Sequence, residues 1–254
     1  MSVETVTAEP GETLEAGSII MSRTPFDVQA FLESKKSGLA RLKIQTPRGF
    51  MLVSKWIEES CSETGVKPQF ILTRLQVEQG LILRKEAPSA EFSIEALPDK
   101  PPVPIPADRK IAPAAQDKAK LAAKYGEGVN VFYVRNGGPA YSTDGNWYLK
   151  VRGDKKLVLA LGFGIPDEYT FPTWEMRTKL GLANQIRAAC VRVAGLGVEW
   201  FQRQHRPELM TFTLYDKTRV VPADRSTYIL VRYNPARENL TGHWKVQTQL
   251  GLPA

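Results

Sequence analysis

The clearest hydrophobic pattern in the chain lies between residues 67 and 82, where apolar side chains recur at helical spacing. The stripe consists of Ile71, Leu75 and Ile82. Pro68 suits the first turn of such a helix, because proline fixes φ and lacks a backbone N–H. Position 78 falls on the same stripe but is a glutamate. A buried carboxyl group tends to keep its proton, as a general acid must, so the pattern predicts Glu78 as a candidate acid.

The same helix offers a structural alternative for Glu78. Arg74 lies four residues earlier, so the two side chains can form an ordinary helical ion pair. Such a pair favours a charged carboxylate and gives it a structural role. Because perturbed carboxyl groups are often only structural, the pattern alone leaves both interpretations open.

Helical patterns are also found on both sides of this segment. One helix is predicted to start at Thr24-Pro25, with Thr24 as its N-cap and Asp27 in its first turn. A second is predicted over residues 50–64, ending at Gly65, and should pack on the Glu78 helix as a hairpin that holds the carboxylate rigidly. Later helical segments are predicted over residues 114–125, 174–203 and 226–232.

Strand patterns are shorter and lie mostly in the second half of the chain. Residues 129–134 and 147–151 flank turn signals and predict a small hairpin. Residues 210–215 alternate like a strand, with residues 216–222 returning beside them. The proline-dense stretch 97–106 is expected to be a spacer or a surface loop, and residues 1–20 a flexible arm. The fold class predicted is α+β, mainly α.

The composition is that of a soluble globular protein, with 43% hydrophobic and 24% charged residues in a chain of 254. This length allows one large domain or two small ones. No apolar run reaches the roughly 18 residues that a membrane span needs. The first fifteen residues lack the basic start and apolar core of a signal peptide, so we expect synthesis in a cytoplasm without the usual export signal.

The net charge and the positions of the histidines and cysteines limit which partners and ligands the sequence predicts. The net charge of +7 favours an anionic partner, either nucleic acid or a bacterial cell wall, although a generally basic surface without a partner is common. Because the basic residues are scattered, no nucleic-acid groove is singled out. His205 and His243 have no ligand-type neighbours at metal spacing, so neither a metal site nor a cofactor is predicted. Cys61 is predicted to be a buried thiol, with one disulfide to Cys190 left open.

The segment 64–82, TGVKPQFILTRLQVEQGLI, resembles the catalytic helix of lysozyme-like peptidoglycan-cleaving enzymes. In that family a Gly-Val/Ile-Asn-Pro turn leads into a helix ending Leu-Gln-Lys-Glu-Gln-Ser-Leu-Ile, and the glutamate of the motif is the acid. This glutamate falls on Glu78. The chain has Lys67 in place of the usual asparagine and Val77 in place of the usual lysine, and neither change touches the acid.

Weaker matches follow in the order that the family shows them. Residues 28–35 are similar to the family's Gln-Ile-Gln-Ala-Phe-Leu helix, and residues 159–168 to its Gly-Tyr-Gly-x-Pro-Asp stretch. Residues 180–185 are similar to its Gly-Phe-x-Asn-Gln segment, and residues 230–235 to its closing Leu-Tyr-x-Tyr-Thr-Pro segment. The resemblance implies a lysozyme-like helical core over residues 21–254. A proline-rich linker and a small β-containing insertion interrupt this core at about residues 84–156, where the resemblance lapses.

The resemblance also implies a set of site residues. Glu78 is the acid, and Asp167 in the Gly-Ile-Pro-Asp turn is the candidate second carboxylate, with simple turn chemistry as its alternative. The residues implied in substrate binding are Gln79, Phe163, Asn184, Gln185 and Tyr233. For Asn184 and Gln185, an exposed polar pair on a helix is the equally plain interpretation.

Three functions are weighed on these grounds. The leading one is cleavage of the β-1,4 glycan backbone of peptidoglycan by a bacteriophage lysin, acting from the virion or through a holin-type pore. A single-acid transglycosylase mechanism is favoured over two-carboxylate hydrolysis, and the bond cleaved is left open. The second is a non-catalytic wall-binding or virion structural protein on the same scaffold. The third, nucleic-acid binding, is suggested only by charge and aromatic residues. The expected partners are peptidoglycan strands and other virion proteins.

Overall fold

A computed structural model describes residues 3–6, 20–21, 25–87, 93–96, 129–131, 149–152, 154–158, 160–163 and 179–252. Within these ranges the chain is α+β and mainly helical, with small sheets, which confirms the predicted fold class. None of the helices in this part of the chain is long and apolar enough to cross a bilayer.

Two consecutive helices form the centre of the fold. Helix α2 spans Val53–Thr64 and helix α3 spans Pro68–Gln79. Both end at a glycine in the left-handed region, where a side chain would be strained: α2 at Gly65 with φ 71°, as predicted, and α3 at Gly80 with φ 65°, two residues before the predicted stripe ends at Ile82. The apolar residues of α3 that face the core are Phe70, Ile71, Leu72 and Leu75. The predicted helix thus forms, with its hydrophobic stripe buried.

The predicted start of α2 at Phe50 is wrong. Residues Gly49–Leu52 form strand β3, which pairs antiparallel with strand β2, Lys43–Thr46. Phe50 is 67% exposed on this hairpin, so the buried stripe of the helix begins only at Val53. The phenylalanine fitted the helical spacing, but the two-residue turn before it favours a hairpin.

The first helix, α1, spans Val28–Ser34, later than predicted. Its N-cap is Asp27, whose carboxylate accepts a hydrogen bond from the backbone N–H of Ala30 at 2.8 Å. The predicted cap, Thr24, lies outside the described residues. Asp27, predicted to lie in the first turn, is the cap instead, and aspartate suits this position at least as well as threonine.

The C-terminal part of the chain is helical. Helix α5 spans Leu182–Arg203 and packs on α2 and on α6, Arg225–Tyr233. Asp224 caps α6 by accepting from the N–H of Thr227 at 2.8 Å, and the helix begins at Arg225, one residue before the predicted start at position 226. A further helix, α7, follows at Arg237–Gln249 and packs on α3.

Helix α7 was not predicted, because its buried face is largely polar. Asn239, His243 and Gln247 follow one another at four-residue spacing, and all three are buried. Only Leu240 and Trp244 add large apolar side chains to the buried part of this helix. The hydrophobic pattern that marks an amphipathic helix is therefore weak here, although the helix contacts α3 directly.

The N-terminal segment differs from the predicted flexible arm at the residues that are described. Val3–Val6 forms strand β1, which pairs in parallel with strand β8, Arg219–Pro222. Strand β8 also pairs antiparallel with strand β7, Phe212–Thr213, as the predicted returning strand. The backbone hydrogen bonds of β8 and an ion pair between Glu4 and Arg237 hold β1 in place.

The described part of the insertion forms a separate small sheet. Strands β4, β5 and β6 span Ser93–Ala96, Val129–Val131 and Leu149–Arg152, in the order β4-β6-β5. The predicted pairing of β5 with β6 is confirmed, and β4 joins the other edge of β6. The proline-dense stretch 97–106 and the predicted helix 114–125 lie outside the described residues.

The insertion leaves and rejoins the core at neighbouring points. Arg84, at the start of the insertion, forms an ion pair with Asp154 near its end. Asp154 immediately precedes the short helix α4, Lys155–Val158. The carbonyl of Arg84 also accepts from the backbone N–H of Gly38 at 2.7 Å. The two ends of the insertion are thus held together on the core side.

The two cysteines face each other between α2 and α5. Cys61 and Cys190 are both buried free thiols, with their Sγ atoms 3.8 Å apart. Their hydrogen bond and their burial raise the pKa of the Cys61 thiol well above its usual value. Cys61 is therefore a core thiol, as predicted, and no disulfide joins the pair.

Candidate active site around Glu78

Glu78 lies in the last turn of α3, with 27% of its side chain exposed. The predicted burial is therefore only partial. The buried side of the carboxylate is occupied by Arg74, whose Nη2 donates to Glu78 Oε1. The ion pair that the sequence offered as an alternative is thus present, and part of the Glu78 side chain remains exposed.

Arg74 is almost wholly buried, with 1% of its side chain exposed. Its Nη1 donates to Oδ1 of Asn239 on α7, and its guanidinium carbon lies 4.6 Å from the centre of the Tyr233 ring. The guanidinium thus contacts an amide, a carboxylate and an aromatic ring at the same time. Cation–π contact is strongest where water is excluded, as it is here.

Tyr233 connects this cluster to the segment around Phe163. Its ring contacts Phe70 edge-on at 5.9 Å and Phe163 at 5.0 Å between centroids. Its hydroxyl donates to the carbonyl of Leu161 at 3.2 Å. Burial raises the pKa of Tyr233 to about 12, so the hydroxyl remains a donor at neutral pH. The structure therefore brings the predicted residues Tyr233 and Phe163 together near Glu78.

The position of Gln185 fits neither of its two predicted roles, a sugar contact or one of two exposed polar residues on a helix. Its side chain has a structural role instead. The residue is fully buried. Its Oε1 accepts from the N–H groups of Phe163 at 2.8 Å and Leu161 at 3.3 Å. Its Nε2 donates to the carbonyl of Phe163 at 3.0 Å and to that of Lys179. With no exposed surface, Gln185 positions the segment that carries Phe163 and has no atom available to a sugar.

Asn184 is half-buried and lies beside a pocket at the start of α5. Its Nδ2 donates to the carbonyl of Leu180 at 2.8 Å. The pocket is lined by Ile44, Gln45, Leu157, Leu180, Gly181, Leu182, Ala183 and Asn184. None of the lining residues belongs to the cluster around Glu78. Gln79 is half-buried, next to Glu78, and Asp167 lies outside the described residues.

Two residues of the cluster were missed in the sequence, Asn239 and His243. Both belong to the polar face of α7, and the ring of His243 lies 5.1 Å from that of Phe70. Burial, with the nearby charge of Arg74, lowers the pKa of His243 to about 3, so the imidazole is neutral. The only sequence signal for this face is the four-residue spacing of polar side chains in a segment without proline.

The arrangement suits acid–base chemistry at a surface. Glu78 lies in the last turn of a helix. The buried guanidinium of Arg74 binds its carboxylate on the protein side, and part of the Glu78 side chain is exposed to solvent. General acid–base catalysis needs a carboxyl group within hydrogen-bond reach of the reacting oxygen and fixed in direction. Both requirements are compatible with the position of Glu78.

Comparison with protein-family models, curated proteins and solved structures found no match for this chain. The functional interpretation therefore rests on the residues and on their geometry.

Proposed function

We propose that the protein cleaves the β-1,4 glycan backbone of bacterial peptidoglycan, with Glu78 as the general acid. The observation that supports this most directly is the placement of Glu78. Its carboxylate lies at the end of the helix that resembles the catalytic helix of peptidoglycan-cleaving enzymes, partly exposed and fixed by Arg74. The aromatic rings of Tyr233 and Phe163 lie close by, as residues suited to a sugar-binding cleft.

To act as a general acid, Glu78 must carry a proton when the substrate is bound. A glycan strand bound over Glu78 covers the exposed part of the side chain and excludes water from it. Glu78 then donates its proton to the glycosidic oxygen as the bond breaks.

The second half of the reaction distinguishes two mechanisms. In the single-acid mechanism, Glu78 takes a proton from the 6-hydroxyl of the same sugar, and that oxygen attacks the anomeric carbon to give a 1,6-anhydro product. In hydrolysis, a second carboxylate lies about 5–5.5 Å away for retention or about 6.5–9.5 Å away for inversion. Asp167 is the candidate for this role. We favour the single-acid mechanism, in which Asp167 assists at most.

In this proposal the protein is a bacteriophage lysin that acts on the wall, free or as part of the virion. Its net charge of +7 is suited to an anionic envelope, which it would meet by electrostatic attraction. Peptidoglycan strands are its partner, together with other virion proteins if it is carried on the particle.

Mass spectrometry of purified sacculi digested with the protein tests the proposal. We expect soluble muropeptides that end in 1,6-anhydromuramic acid. Reducing-end muramic acid would replace transglycosylation by hydrolysis of the same bond, and reducing-end glucosamine would move cleavage to the other bond. Absence of soluble muropeptides at high enzyme concentration would contradict glycan cleavage.

A non-catalytic wall-binding protein is the second candidate, and the Arg74–Glu78 ion pair favours it, because an ion pair is a common structural use of a carboxylate. This candidate predicts that the protein sediments with sacculi without releasing soluble fragments, and that Glu78→Gln binds sacculi as the parent does.

A further inference from the structure

We infer that Arg74, anchored by Asn239, is the positioning residue for Glu78, so that helix α7 takes part in the reaction without touching the substrate. The inference rests on the proposed function, since it assigns the group that fixes the acid. It goes beyond the resemblance around Glu78, which assigned neither Arg74 nor any residue of α7 to the site.

Arg74 is buried to a degree that is unusual for an arginine. A buried guanidinium is costly unless its donors are paired. Arg48 shows the ordinary case: it pairs with Glu59 and Glu63 but keeps 54% of its side chain exposed. Arg74 exposes 1% and has Glu78 as its charged partner. An apolar side chain at position 74 would occupy the same buried place without this cost, so the arginine is explained best by what it holds.

The contacts of the Arg74 guanidinium fix its orientation. The guanidinium is planar and its donors point in fixed directions, so two hydrogen bonds determine its orientation. Asn239 Oδ1 accepts one of them, and Glu78 Oε1 accepts the other. The ring of Tyr233 covers the face of the group at 4.6 Å. The carboxylate of Glu78 is therefore held at one oxygen by a group that cannot turn.

The side chain of Asn239, which anchors Arg74, is itself fixed by hydrogen bonds. Nδ2 of Asn239 donates to the carbonyl of Leu230 on α6 at 3.3 Å and to that of Asn234 at 3.1 Å. With both of these donor contacts made to backbone, the amide has one orientation and its oxygen points at Arg74. The direction of Glu78 is thus set by the end of α6 and the start of α7.

The test compares Arg74→Met, Arg74→Ala and Asn239→Leu with Arg48→Met, which removes an arginine paired to two glutamates at the surface. Each full-length variant is measured for melting temperature, for binding to purified sacculi, and for the rate at which bound protein releases muropeptides. We expect Arg74→Met and Asn239→Leu to bind as the parent does but to release fragments about a hundredfold more slowly, because small misplacement of an acid is costly. Arg48→Met should behave as the parent does.

Chemical rescue separates positioning from a merely structural role. Added methylguanidinium should enter the space left in Arg74→Ala and restore part of its rate, without changing the parent or Arg48→Met. Arg74 variants that stay folded and release fragments at the parental rate would overturn the inference. Equal losses of binding and rate, with no rescue, would also overturn it.

A stability cycle keeps the inference testable if the parent shows no lytic activity, which would be a failure of the proposed function alone. Arg74→Met, Glu78→Leu and the double variant are compared by urea unfolding. If Glu78 is the partner that permits the burial of Arg74, Glu78→Leu should destabilise the parent more than it destabilises Arg74→Met. Strictly additive effects would show that the two side chains are not coupled and would reject the positioning role.

Discussion

At the scale of single residues, Gln185 holds the segment that faces Tyr233. Its side-chain amide contacts the backbone of Leu161, Phe163 and Lys179 and is fully buried. These contacts fix Phe163 against Tyr233, and through Tyr233 they reach Arg74 and Glu78. A buried amide of this kind fixes the position of the segment that carries Phe163.

We expect Gln185→Leu to destabilise the protein by about 2–4 kcal/mol, because several buried backbone groups lose their partners at once. Urea unfolding measures this loss. Asn184→Ala is the neighbouring control, since Asn184 is half-buried and donates one hydrogen bond to Leu180. If Gln185→Leu is no less stable than Asn184→Ala, the amide contacts do not hold the segment.

The sequence predicted some residues of the site and missed others for a physical reason. Glu78 was identifiable because a charged residue interrupts an apolar stripe. Arg74 was identifiable only as its helical neighbour. Asn239 contacts Arg74 across a sequence distance that no local pattern spans. Gln185 was placed in a helix by its spacing, but whether its amide faces sugar or backbone depends on the loop packed against it.

At the scale of elements, a helix end that depends on one local residue was predictable from the sequence, whereas a helix face that other elements bury was not. Gly65 ends α2 as predicted, because a left-handed residue is a local requirement that glycine meets, and Gly80 ends α3 in the same way, although the predicted stripe continued to Ile82. The start of α2 and the whole of α7 were not predicted. Both depend on which side chains other elements bury, and α7 buries polar ones.

The insertion is the element whose removal is most informative. In the described part of the chain its three strands pair with one another, and Arg84 and Asp154 hold its ends together. Replacing residues 88–152 with a Gly/Ser linker of about ten residues, which spans roughly 15–20 Å, should therefore leave the melting temperature nearly unchanged. Circular dichroism during heating measures this. An insoluble or much less stable product would show that the insertion is part of the core.

At the scale of the whole molecule, the buried histidine of α7 links stability to pH. The pKa of His243 is lowered from 6.5 to about 3 in the folded state, by burial and then by the charge of Arg74. The unfolded chain therefore binds a proton at this site first as the pH falls. Its contribution to stability is complete above pH 6.5 and is lost progressively towards pH 3.

We expect the free energy of unfolding to fall by up to about 1.4 kcal/mol per pH unit across this window because of His243 alone. Other groups also titrate there, so the measurement is the difference in slope between the parent and His243→Gln in urea unfolding from pH 7 to pH 4. His205→Gln, at an exposed position, is the control. Parallel slopes for the parent and His243→Gln would mean that the imidazole is protonated within the fold.

The release of soluble muropeptides from purified sacculi by Glu78→Gln tests the central claim most directly. The amide keeps the shape of the side chain and an acceptor for Arg74 but cannot give up a proton, so we expect a folded protein whose rate is lower by about 10²–10⁴-fold. Glu59→Gln is the matched control, because Glu59 is also 27% exposed on a helix and paired with an arginine, and it should release fragments as the parent does. A folded Glu78→Gln that lyses sacculi at a rate close to the parent's would contradict the assignment of Glu78 as the acid.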